Sequence, residues 1–381
     1  MFKRTVIAAS LVAASLASAH SMAAVVGGGA TLPEYLYNGN PSTGVEGILP
    51  SGFSYTGVGS GNGKAAFLNN DATKINQAAG TNVDFAGSDS VLSSAELTAY
   101  NAKLTTWGNL IQVPAVGTTV TIPFKKAGVN SLTLTASQLC GVFSGSTSTW
   151  GQLLGTTDST PIKVVYRAGS SGTTELLARF LNDTCPTSFS VSSTFTSANL
   201  GAEPSNWVAA TSSQGIVDAI TDGAIGYVSP DYVDVYDDTS VAAVKKLASG
   251  TAQLPTPDQA QAALATATAP TGTDRLDPAK WAVTFGSAAS DKPVPTSGYP
   301  IVGYTNLLVG QCYANGTDAT DVRGFLNDLY SGTHNDLIEG HSFIPVPAAF
   351  AAEVKKVFLD NSYNQGTNIQ NASVCNGLGR S

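Results

Sequence analysis

Arg167-Ala168-Gly169-Ser170-Ser171-Gly172-Thr173-Thr174-Glu175 follows an apolar run, Ile162 to Tyr166, that reads as a strand. It leads directly into Leu176, Leu177, Phe180 and Leu181 at helical spacing. A strand that ends in arginine and a Ser/Gly/Thr turn, then opens a helix, is suited to hold an anion. The first N–H groups of a helix have no partner inside it, and the helix dipole places partial positive charge there. Arg167 adds a planar guanidinium that can face two oxygens at once. The same run would also serve as a capped helix beside a surface arginine, so the rest of the chain has to decide between the two.

The chain has 381 residues, a length that suits about two domains, and 43% of them are apolar, enough for sizeable cores. Its start reads as a leader for export. Lys3 and Arg4 precede a short apolar stretch, Thr5 to Leu16, and small residues follow. Ala17-Ser18-Ala19 and Ser21-Met22-Ala23 both offer cleavage sites, and cleavage after Ala23 is expected. No cysteine sits at either site, so no lipid anchor is expected. The apolar stretch is too short for a membrane span, and an exported, soluble protein follows.

Without residues 1–23, 17 basic residues face 27 acidic ones, a net charge of about −10. Such a chain is a poor nucleic-acid binder and gains no long-range steering of anions, so an anion site must rely on local donors. Four cysteines, Cys140, Cys185, Cys312 and Cys375, suit an oxidising compartment. Of three pairings, Cys140–Cys185 with Cys312–Cys375 is preferred, because it closes loops within separate halves of the chain. No cysteines lie two to four residues apart, and only His334 and His341 remain after the leader, so neither a zinc site nor a cofactor is expected.

Three further turns repeat the chemistry of the first. Gly27-Gly28-Gly29-Ala30-Thr31-Leu32-Pro33-Glu34 sets Thr31 as an N-cap before a helix. Gly57-Val58-Gly59-Ser60-Gly61-Asn62-Gly63-Lys64-Ala65 resembles a nucleotide P-loop but has Val58 in place of the first glycine and Ala65 in place of the magnesium-binding hydroxyl. What remains is a glycine-rich turn with Ser60 at a helix start. Val83-Asp84-Phe85-Ala86-Gly87-Ser88-Asp89-Ser90 reads as a short strand ending in Ser-Asp-Ser, and Ser93-Ser94-Ala95-Glu96 starts another helix. Open α/β sheets bind ligands at the C-terminal ends of their strands, where all four turns fall.

Taken together, these motifs resemble the periplasmic phosphate-binding proteins that feed phosphate ABC transporters, above all the secreted DING subfamily. Besides the four turns, the resemblance rests on Cys140-Gly141-Val142-Phe143-Ser144-Gly145, Pro295-Thr296-Ser297-Gly298-Tyr299-Pro300-Ile301 and Val374-Cys375-Asn376-Gly377. Gly223-Ala224-Ile225-Gly226-Tyr227-Val228 is shared with the wider phosphate-binding family, and the likeness spans nearly the whole chain after the leader. Two departures stand out. Ala24-Val25-Val26 replaces the Asp-Ile-Asn that gives the subfamily its name, and Ala168-Gly169 stands where relatives carry Ser-Glu or Ser-Asp.

The resemblance implies a type II periplasmic-binding-protein fold, two α/β lobes joined by two crossing segments with the ligand cleft between them. The crossings are expected near Pro114-Ala115-Val116 and Pro300-Ile301-Val302. Residues 24–115 with 300–381 would then form a discontinuous lobe I, and 116–299 an inserted lobe II. The family match implies phosphate held by Thr31, Leu32 and Ser60 from one lobe and by Arg167, Ser171, Gly172 and Thr173 from the other. Asp89 would be the odd member, a carboxylate that when ionised only accepts hydrogen bonds. Phosphate near neutral pH carries a proton to give it, whereas sulfate has none. A monomer is implied, with inorganic phosphate as ligand and a phosphate ABC transporter permease as candidate partner, in the periplasm or secreted.

Two other readings compete. Asp89-Ser90 has the Asp-Ser pair of metal-dependent alkaline phosphatases, but two histidines cannot supply that site, and no Gly-x-Ser-x-Gly elbow is present. A role in surface adhesion would call for a run of exposed aromatics, and the Tyr and Phe residues are spread out instead.

Overall fold

Two sheets organise the computed structural model, which describes residues 25–287 and 289–380; the leader expected at 1–23 and its cleavage site lie outside them. The strands of these sheets are, in chain order, β1 (Val25–Gly29), β2 (Phe53–Gly57), β3 (Phe85–Ser88), β4 (Leu110–Thr119), β5 (Phe124–Lys125), β6 (Lys163–Arg167), β7 (Val208–Ala210), β8 (Ala224–Gly226), β9 (Val302–Gly310) and β10 (Ile344–Pro345). The larger sheet has the order β10-β4-β9-β3-β1-β2 and the smaller β5-β8-β6-β7. This is the α/β, two-lobed arrangement that the turns and the family resemblance imply.

Both sheets contain a strand flanked by parallel neighbours. β1 lies between β2 and β3, parallel to each, and β6 lies between β7 and β8 in the same way. β1 is buried at every position, as a strand covered on both faces must be. Helices α1 (Glu34–Asn38), α2 (Ser60–Asn69), α3 (Ser94–Asn101), α4 (Gly172–Thr184) and α5 (Ser213–Ala219) follow β1, β2, β3, β6 and β7 in turn. α3 begins with the capping box that Ser93 and Glu96 spell out in the sequence.

The two lobes are joined through the longest strands. β4 and β9 pair antiparallel from Val302 opposite Thr119 to Gly310 opposite Leu110, with a register shift between Thr305 and Asn306. Just beyond them Val120 N–H donates to the Ile301 carbonyl at 2.9 Å, and Thr121 and Val228 exchange backbone bonds. The chain therefore leaves the larger sheet at Thr119 and joins the smaller one within five residues, at Phe124. One later segment reaches back. Gln112 Nε2 donates to the Pro278 carbonyl at 3.1 Å, and Trp281 packs on Phe350 and Phe358.

Disulfides join Cys140 to Cys185 and Cys312 to Cys375, across separations of 45 and 63 residues. Among the described residues no helix is long and apolar enough to cross a membrane.

The C-terminal ends of β1, β2 and β3 meet those of β6 and β7 along a tight seam. Gly172 N–H donates to Ser60 Oγ across it at 3.1 Å, and Ser229 Oγ donates to the Leu32 carbonyl at 2.8 Å. A Cβ on Gly172 would lie 2.4 Å from Asp89 Cβ and 2.6 Å from Ser60 Oγ, so only glycine permits this approach. Gly172→Ala is expected to hold the lobes apart, read as a larger radius of gyration in small-angle scattering. An unchanged scattering profile would refute the steric argument. Replacing Cys312 and Cys375 together by serine should lower stability in urea unfolding by roughly 4 kcal/mol through the unfolded chain's regained freedom.

Candidate functional site

Arg167 ends β6 and turns its side chain into the seam, where it is only 3% exposed. Its Nη1 donates to Thr31 Oγ1 at 2.7 Å and to Ser171 Oγ at 3.4 Å, and Nη2 donates to the Thr211 carbonyl at 3.2 Å. The Arg167 backbone N–H is held by the Tyr227 hydroxyl, itself bonded to Thr174 Oγ1 at 2.7 Å. The guanidinium is thus fixed from three sides while Nε keeps no protein partner. Burial pulls its acidity up, and the facing Tyr227, Asp89, Tyr232 and Glu34 push the other way.

Thr31 departs from the sequence expectation. The N-cap position of α1 is Pro33, with no side-chain cap, and the Thr31 hydroxyl meets Arg167 and, at 2.9 Å, Ser213 Oγ instead. A hydrogen bond to a charged partner contributes ~1.5–3 kcal/mol against ~1 kcal/mol for a cap, which accounts for the choice. Leu32 follows at full burial.

Ser60 opens α2, with Gly59 at the cap position, and bridges the seam. Its Oγ accepts from the N–H groups of Asp89 and Gly172, both at 3.1 Å, and donates to Asp89 Oδ2 at 3.4 Å. Asp89 follows β3 and is 3% exposed, and its Oδ1 has no protein partner. Burial raises its carboxyl to about 7, against the pull of the Thr305 and Ser60 hydroxyls and of Arg167; Glu175 adds to the rise. Ser171 caps α4, accepting from the Thr174 N–H, and the buried Thr173 Oγ1 is unpartnered.

All eight residues singled out from the sequence therefore border one seam: Thr31, Leu32, Ser60 and Asp89 from the first sheet, Arg167, Ser171, Gly172 and Thr173 from the second. The start of the 13-residue α4 faces it. Sequence reading missed Ser213 and Thr305. Ser213 sits in the run Thr211-Ser212-Ser213 after β7, a hydroxyl-rich turn like the others and so open to detection. Thr305 lies inside a strand buried at every position, away from any turn, and only the register of β9 brings it here.

Chemically, the seam gathers one fixed cation, several hydroxyls, the N-terminal end of α4 and, on Asp89, a buried carboxylate oxygen without a protein partner. Such a set of donors suits an oxyanion. Among the described residues no group of three or more His, Cys, Asp and Glu could hold a metal.

Comparison with known proteins agrees with this geometry. A PBP superfamily domain model matches residues 42–331. The chain is 47% identical to a protein of Pseudomonas aeruginosa named alkaline phosphatase L, over the full length of both. It is 44% identical to a phosphate-binding protein of an unknown prokaryotic organism, over 93% of this chain and 99% of that one. Among solved structures, it superposes with a TM-score of 0.86 and 45% identity on a high-affinity periplasmic phosphate-binding protein, PfluDING, solved with phosphate; 94% of this chain and 99% of that one are covered. From its fold, its seam of donors and these relatives, the chain belongs to the PBP superfamily and, within it, to the DING phosphate-binding proteins.

Proposed function

We propose that this protein is an exported receptor for inorganic phosphate, held in the cleft between its lobes and distinguished there from sulfate. The observation that carries the reading is the pairing of a buried, unpartnered carboxylate oxygen on Asp89 with the fixed guanidinium of Arg167 at facing strand ends. The lobes are residues 24–115 with 300–381, and 116–299, the second sending the segment around Pro278 and Trp281 back over the first. Thr31, Leu32, Ser60, Arg167, Ser171, Gly172 and Thr173 donate to the phosphate oxygens, and Asp89 accepts the proton that phosphate retains. Supply of phosphate to an uptake system, through a transporter permease or by scavenging outside the cell, follows from that binding.

Affinity and selectivity come from different groups. Each hydrogen bond to a charged oxygen contributes roughly 1.5–3 kcal/mol, so a handful reaches micromolar binding or tighter after ordering costs. Selectivity comes from Asp89. A sulfate oxygen facing the ionised carboxylate leaves two acceptors unpaired in a buried site, which can give roughly 10⁴–10⁵-fold discrimination. The protein acts as a binder. The alkaline phosphatase name borne by a relative in Pseudomonas aeruginosa describes that protein, and turnover of an aryl phosphate by this one would point to a hydrolytic role.

Titration calorimetry of refolded, phosphate-free protein should show one tight phosphate site that excess sulfate does not compete for, and absence of phosphate binding would sink the reading. Arg167→Ala should weaken phosphate binding by at least about 10-fold, since it removes a charge-assisted contact. Asp89→Asn supplies an amide donor and should admit sulfate at every pH. In the wild type, sulfate competition should emerge only as the pH falls through about 7, where the Asp89 carboxyl takes up its proton and can donate it. Selectivity that is flat with pH and unchanged in Asp89→Asn would remove the proton-reading mechanism.

A further inference from the structure

Two groups at the seam are each buried and each lack a partner: Thr305 Oγ1, a donor, and Asp89 Oδ1, an acceptor. Strand register brings them together. Asn306 on β9 is opposite Ser88 on β3, and the antiparallel run continues through Leu307–Gly87 and Leu308–Ala86. Extending that register by one residue sets Thr305 across from Asp89, on the same face of the sheet. Asn306 Nδ2 secures the position by donating to the Ser88 carbonyl at 3.2 Å. The register shift on β9 falls between Thr305 and Asn306, so Thr305 sits at the irregularity of a strand that joins the two lobes.

We propose that Thr305 is a positioning residue for Asp89: its hydroxyl donates to the carboxylate, keeps it ionised and turned toward the cleft, and so sets the pH range over which phosphate is told from sulfate. The functional half of this rests on the phosphate reading above; the contact itself does not. The hydroxyl proton can rotate to either oxygen, and a donor to the charged form favours that form. Burial and Glu175 oppose ionisation of Asp89, while Arg167 and Ser60 support it. Tyr37 and Tyr55, the other titratable neighbours, have their ionisation suppressed by burial first and by the Asp89 charge in addition, and stay neutral beside it. Thr305 is thus the one supporting group that comes from the strand linking the lobes. It needs no contact with the ligand to act.

The test compares wild type with Thr305→Val, which keeps the shape and removes the hydroxyl, and with Thr305→Ser, which restores it. Phosphate affinity and sulfate competition are measured by calorimetry from pH 5 to 9, the range over which the group titrates. In Thr305→Val the onset of sulfate competition should move up by roughly one pH unit, and Thr305→Ser should return it to the wild-type position. An unmoved pH profile in Thr305→Val overturns the proposal, as does an equal loss of affinity at all pH values in both variants. Should Thr305→Val not fold, Thr305→Ala gives the same comparison. The Asp89 carboxyl is followed separately by ¹³C NMR without phosphate, its signal assigned from Asp89→Asn. A higher titration midpoint in Thr305→Val supports the contact and an unchanged one overturns it. Wild type that binds no phosphate defeats the functional reading alone.

Discussion

Taking the Arg167 guanidinium out of water costs several kcal/mol unless its N–H groups find oxygens, and much of the seam is built to supply them. Thr31 comes from the turn after β1, Ser171 from the turn that starts α4, and the Thr211 carbonyl from the end of β7. Two of these belong to the same lobe as Arg167, and the third reaches across from the other. The contact between the lobes therefore gives one more oxygen to a charge that β6 has already carried inward, while Nε stays without a protein partner. The positions of Gly172 and Ser60 follow, because the backbone must come close enough for that contact to form.

The same constraint resolves an oddity of composition. A chain with more acidic than basic residues is a poor attractor of anions at long range. The seam does not depend on a long-range field. It uses one buried cation, hydroxyls from four turns and the N-terminal end of α4, all acting over hydrogen-bond distances where burial strengthens them. The acidic neighbours are restrained in turn. Glu34 accepts from the Gly57 N–H at 3.0 Å and Glu175 pairs with Arg179 at 2.7 Å, so neither is a free carboxylate. Asp89 differs from them in keeping one buried carboxylate oxygen without a protein partner.

Much of this was legible in the sequence because it is local. A strand followed by a hydroxyl- and glycine-rich turn and a helix announces itself in consecutive residues, and the turns at Thr31, Ser60, Asp89 and Arg167 all lie where the strands end. The cap at Ser171 and the capping box at Ser93 depend on atoms three residues apart, and both form. Thr31 shows the limit of local reading. By sequence it is a helix cap, and in the fold its hydroxyl serves a guanidinium 136 positions away.

The sequence alone determined the α/β character, the four strand-end turns and the residue types that could face an anion, since each is set by neighbours within a few positions. The tertiary structure decided which turns oppose each other, that Ser213 joins them, and that Thr305 lies across from Asp89. Those outcomes depend on contacts between residues far apart in the chain, such as Thr31 with Ser213 and β3 with β9, and on a register that shifts inside a fully buried strand. Every residue of β9 is buried on either side of that shift, so only the assembled sheet could fix which residue of β3 each one faces.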